Sequence, residues 1–221
     1  MTVTSRKRNN NLNTSTGADP SIFSLFLKYV SANVLGMIGY SCYILADTFF
    51  IARGIGSDAL AALNLVLPAY SLMNGTGLMI GMGAASRYTI SSTKPDGTLH
   101  RTIFTQALYV MAFAAVIFSS SGILFPYKIA AVLGADADTI GYAADYIRIL
   151  LMFSPLFLGN NLLLSFVRND GAPRLSMTGM IVGSLTNIVL DYVFIYPLGM
   201  GMTGAALATA TAPVISMMIM S

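Results

Sequence analysis

Two aspartates lie where the chain is otherwise apolar. Asp47 sits in Ile44-Leu45-Ala46-Asp47-Thr48-Phe49-Phe50, and Asp191 closes Asn187-Ile188-Val189-Leu190-Asp191. A charged Asp at the centre of a bilayer costs roughly 2.5–3.5 kcal/mol on insertion scales, and such residues commonly mark ion or proton pathways. Asn187 and Asp191, four apart, share one helix face. With Thr209 they offer carboxylate, amide oxygen and hydroxyl, which are hard donors suited to Na+ or a proton. A buried acid pair of this kind can take up and release a cation as its surroundings open and close. The plainer alternative is a polar network that pins helices together.

The surrounding sequence must then be membrane helix. Of 221 residues, 55% are hydrophobic and 10% charged, against about 25% charged in soluble domains; mean hydropathy is +0.71. Six stretches reach the roughly 20 apolar residues a spanning helix needs: 22–51, 59–90, 102–125, 139–167, 174–196 and 202–221. The fold class predicted is an all-α integral membrane bundle of six transmembrane helices over 21–221, preceded by a disordered cytosolic tail over 1–20. Breakers separate the spans at Arg53-Gly54-Ile55-Gly56, Lys94-Pro95-Asp96-Gly97, Asn169-Asp170-Gly171-Ala172-Pro173 and Pro197-Leu198-Gly199-Met200-Gly201. Loops this short exclude a soluble catalytic domain. The single cysteine, Cys42, excludes an internal disulfide or a multi-cysteine metal site. The net charge of +3 is spread between apolar runs, so no nucleic-acid partner is expected.

Lysine and arginine placement sets the orientation. With the N-terminus inside, Arg6, Lys7, Arg8, Lys28, Arg87, Lys94, Arg101, Arg168 and Arg174 are cytosolic, Arg53 and Lys128 are external, and Arg148 lies within the fourth span. The prediction is a multi-pass plasma-membrane protein of the bacterial inner-membrane type, with a cytoplasmic N-terminus. At about 1.5 Å per residue, Asp47 and Asp191 each lie about 9 Å in from the outer loops, and Thr209 about 12 Å. Their depths match, as a shared site requires. The chain also stops inside the sixth span with no polar anchor, which predicts that it is one portion of something longer.

Other motifs read as architecture. Gly77/Gly81 and Gly179/Gly183 have the spacing of close helix packing. Pro68, Pro155 and Pro213 interrupt spans 2, 4 and 6 as hinges or tolerated kinks. Asp47-Thr48-Phe49-Phe50-Ile51 echoes Asp191-Tyr192-Val193-Phe194-Ile195, five positions being too few for a repeat. An aspartyl protease would need a Gly-x-Gly-Asp stretch within a span. The nearest match, Gly54-Ile55-Gly56-Ser57-Asp58, has an extra residue and lies in a loop. No enzyme activity is expected.

These residues carry a resemblance. Ala46 to Ile51, Gly54-Ile55-Gly56 and Ala61 to Pro68 are similar to the first two helices of multidrug and toxin extrusion (MATE) transporters. Arg168 to Pro173 resembles their loop between helices 4 and 5, and Asn187 to Tyr192 with Gly204 to Thr209 resembles helices 5 and 6. The resemblance implies one lobe of a twelve-helix antiporter that exports cationic or amphipathic small molecules in exchange for Na+ or H+. It implies a coupling site at Asp47, Asn187, Asp191 and Thr209, with a backbone carbonyl at Met180. Its partners are then the lipid bilayer and a missing C-terminal lobe or second chain, with no cofactor beyond the coupling ion. Many members have a proline in the inner half of helix 1, whereas Val30-Ser31-Ala32-Asn33-Val34 has none. A flippase of related fold for lipid-linked precursors is one alternative, and a non-transporting gene fragment another. The flippase should place basic residues deep in its cavity, and no span has one.

Overall fold

The computed structural model describes residues 22–92 and 98–221. The N-terminal tail 1–20 and the Lys94–Gly97 loop lie outside the described residues. Among those described, all regular structure is helical. The helices are α1 (Ile22–Gly54), α2 (Ser57–Ser92), α3 (Thr98–Leu124), α4 (Pro126–Val132), α5 (Ile140–Met152), α6 (Ser154–Asn169), α7 (Pro173–Ile195) and α8 (Gly201–Met220). Five are long and apolar enough to cross a membrane, and α5 with α6, bent by 52° at their break, brings the number to six when the pair is taken as one span. Five of the six expected spans are single helices, and the fourth corresponds to the bent pair.

The fourth span departs from a simple helix. Pro155 has no N–H to give the carbonyl of Leu151, four residues back, so the helix breaks at Phe153. In lipid a bare carbonyl costs several kcal/mol. Ser119 of α3 supplies the replacement, its hydroxyl lying 3.2 Å from the Leu151 carbonyl and 3.0 Å from that of Met152. Ser154 answers by donating to the Ala115 carbonyl at 3.1 Å. Pro68 and Pro213, by contrast, lie within the continuous helices α2 and α8.

Helix α7 packs between α1 and α8, and α2 packs mainly on α6, with α3 and α5 alongside. Lipid tails are as apolar as leucine, so close approach between small residues holds such bundles. The two glycine pairs serve this packing. A Cβ on Gly81 would meet the Asn161 carbonyl at 2.9 Å, and one on Gly183 the Ala212 carbonyl at 2.9 Å. The apolar core gathers near the end that carries the α1–α2 turn. There Ile51, Ala62, Val66, Ile147, Leu150, Ala205 and Ala206 are buried together. Gly56 makes that turn with φ +132°, and Gly171 makes the α6–α7 turn at the opposite end with φ +86°. These are called the Gly56 end and the Asp170 end below.

Candidate cation and substrate site

Asp47 is placed by α1, Asn187 and Asp191 by α7, and Thr209 by α8; all four are buried, Asn187 and Asp191 completely. Each aspartate is followed four residues later by a buried isoleucine, Ile51 or Ile195, on the same helix face. Phe50 packs against the rings of Tyr192 and Tyr196 at 6.2 and 6.1 Å, which locks α1 to α7 in this register. The D-x-x-F-I echo thus marks the two segments that hold the acids at one level.

Asn187 is the link between α7 and α8. With its amide oriented to satisfy both neighbours, Nδ2 donates to Asp191 Oδ2 at 3.1 Å and Oδ1 accepts from the Thr209 backbone N–H at 3.1 Å. The Tyr146 and Thr209 hydroxyls are 3.4 Å apart. Asp47 lies within electrostatic range of both Asp191 and Tyr146. One oxygen of each acid, Asp47 Oδ1 and Asp191 Oδ1, is buried without a hydrogen-bond partner. A buried polar atom in a native fold ordinarily has a partner. Two orphaned carboxylate oxygens with hydroxyls beside them are a donor set that fits a small hard cation or a proton.

Asp47 and Thr209 also border a cavity of ≈ 520 Å³ that includes Tyr43, Tyr70, Asn74 and Tyr146 and has, among the described residues, no lysine or arginine in its wall. The MatE family model matches residues 32–193. The chain belongs to the MatE family, that of the MATE transporters.

"Multidrug export protein MepA" of Staphylococcus saprophyticus subsp. saprophyticus is 26% identical over 196 residues, 89% of this chain and 44% of that protein. Among solved structures, "Outward-facing conformation of a multidrug resistance MATE family transporter of the MOP superfamily" superposes with a TM-score of 0.81 at 27% identity, over 89% of this chain and 44% of that one. "Crystal structure of MATE in the bent conformation" does so with 0.81 at 26% identity, over 90% and 44%. This MATE chain therefore spans less than half the length of the relatives it matches. Together with its apolar helices, the family makes it a multi-pass membrane protein.

The fold brings together four of the five residues singled out in the sequence. Met180 is apart: it precedes Asp191 by eleven residues, about 16 Å along α7 at 1.5 Å per residue. Its sulfur lies 3.9 Å from the Arg168 guanidinium and would sit 3.2 Å from a Cβ on Gly36. Tyr146 joins the cluster and was not anticipated, since a tyrosine in an apolar helix carries no signal of its partners. A second polar group was also missed. The Tyr43 and Tyr70 hydroxyls are 3.0 Å apart, Tyr40 donates to Tyr70 at 3.3 Å, and Asn161 donates to Asn74 at 3.0 Å. Asn74, Asn160 and Asn161 are amides within apolar runs, the same signal that exposed Asn187.

Proposed function

We propose that this bundle is the half of a MATE transporter that couples Na+ or H+ movement to the export of cationic or amphipathic small molecules. The observation that carries the proposal is the pair of orphaned carboxylate oxygens on Asp47 and Asp191, buried beside Asn187 and Thr209. Asp47 and Asp191 hold the coupling cation or proton, Asn187 fixes the Asp191 carboxylate, and Thr209 and Tyr146 complete the oxygen set. Asp47 faces the cation cluster and also borders the large cavity, so ion occupancy and substrate occupancy draw on one charge. An acidic cavity wall without basic residues favours a cationic guest over a phosphate-bearing one, and so an exporter over a precursor flippase. The reaction is transport, with no covalent step. In the proposed arrangement the N-terminus faces the cytoplasm across a plasma membrane, and a second bundle or chain closes the cavity, because alternating access rocks one bundle against another.

The test is Asp47→Asn and Asp191→Asn in the chain joined to the second half of a homologous transporter, reconstituted in vesicles. Drug efflux and drug-induced proton or Na+ movement are expected to fall to background in each variant, with thermal melting in detergent unchanged. Coupled transport in both variants equal to the parent would reduce the acids to structural polar groups.

A further inference from the structure

Below the cation cluster, toward the Asp170 end, lies a second and smaller cavity of ≈ 100 Å³ between α1, α2, α6, α7 and α8. Its wall is mostly apolar but carries several buried polar side chains. Ser216, 3% exposed, and Ser184, 7% exposed, border it. Ser216 Oγ and Asn160 Oδ1 are buried without hydrogen-bond partners. Pro213, also in the wall, adds a backbone oxygen. It has no N–H for the carbonyl of Thr209, four residues earlier in α8. Helix carbonyls point toward the C-terminus, so this one points from the cation cluster toward the cavity. Tyr40, Tyr43, Tyr70, Asn74 and Thr209 border both cavities and so lie between them.

Unsatisfied oxygens beside a void with room for a few waters offer the polar partners that a buried water needs. Among the described residues, no basic side chain lines it. We propose that this chamber admits water and small monovalent cations, and forms the leg of the ion route between the Asp47–Asp191 cluster and the Asp170 end. The inference rests on the cation-coupling reading for its role, but hydration and charge preference can be measured without transport.

The experiment places single cysteines at Ser216 and, independently, at Ser184, in a Cys42→Ser background of the full chain in lipid vesicles. Val189→Cys, at a position 60% exposed on the outer surface of α7, is the lipid-facing control, and Ser57→Cys, in the α1–α2 turn region, is the water-facing one. Each is treated with a small cationic methanethiosulfonate and with its anionic counterpart. Thiols react as thiolates, which form in water and not in hydrocarbon. Ser216→Cys and Ser184→Cys are expected to react at least roughly tenfold faster than Val189→Cys, with a cationic-over-anionic rate ratio above that of Ser57→Cys. Reaction at both chamber positions no faster than at Val189→Cys, or a rate ratio equal to that of Ser57→Cys, would overturn the proposal. Loss of coupled transport in the Asp47→Asn chain is a separate readout. Its absence would sink the acid assignment and leave the labelling result standing.

Discussion

An amide that donates to one carboxylate and accepts from a neighbouring helix has a fixed orientation, and Asn187 is in that position between Asp191 and the Thr209 backbone. What remains adjustable at the site is the hydroxyl set. Tyr146, 4% exposed, brings α5 to the Thr209 hydroxyl. Tyr146→Phe keeps the ring and removes only the oxygen. Losing one neutral hydrogen-bonding group is worth about 1 kcal/mol, or roughly fivefold in affinity. The half-saturating cation concentration for transport is expected to rise by about that factor, with maximal rate and expression preserved. An unchanged half-saturation would leave Tyr146 as a packing residue. The contrast with the acids explains what could be read in advance. Asp47, Asn187 and Asp191 stand out one at a time, because a charge or amide in an apolar run needs a reason, and Thr209 joined them by its matching depth. Tyr146 needs none, and its role exists only after α5 and α8 meet. Met180 came from the family resemblance alone, and eleven residues of α7 separate it from Asp191.

At the scale of helices, spacing predicted contacts well and continuity less well. The glycine pairs mark the helix faces that touch, because close backbone approach depends on the missing Cβ itself. Gly81 and Gly83 make an internal comparison on α2. A Cβ on Gly81 would lie 2.8 Å from Ser165 Oγ and 2.9 Å from the Asn161 carbonyl, whereas one on Gly83 meets nothing within 4 Å. Gly81→Ala is expected to destabilise by about 1–3 kcal/mol through overpacking. Gly83→Ala is expected to be neutral or to gain a few tenths from helix propensity. Thermal melting in detergent distinguishes them, and equal melting of the two variants would refute glycine-mediated contact between α2 and α6. The break at Phe153 was only half legible. Pro155 announced an interruption, as Pro68 and Pro213 did, yet only Pro155 ends its helix. Part of the difference lies on another helix, in Ser119 and its reach to the Leu151 and Met152 carbonyls.

For the whole molecule, the basic residues predict which end faces the cytoplasm. Ser57 lies near the Gly56 turn and Asn169 at the opposite end, and both are exposed. In a Cys42→Ser background, an impermeant thiol reagent applied to intact cells is expected to label Ser57→Cys and to spare Asn169→Cys until the membrane is opened. The reverse pattern would invert the topology and move the cation cluster to the inner half of the bilayer. Length and hydropathy fixed the number of spans because lipid tolerates few backbone solutions. The bent fourth span also bears on how the chain enters the membrane. Its halves, α5 and α6, have 13 and 16 residues, each short of the roughly 20 that cross a bilayer alone. They must therefore enter as one unit, with uncovered carbonyls at the middle of the segment. The hydroxyl that covers those carbonyls belongs to α3, which leaves the ribosome first. Sequence order thus favours biogenesis: the third span, made first, is at hand to cover those carbonyls when the fourth arrives beside it.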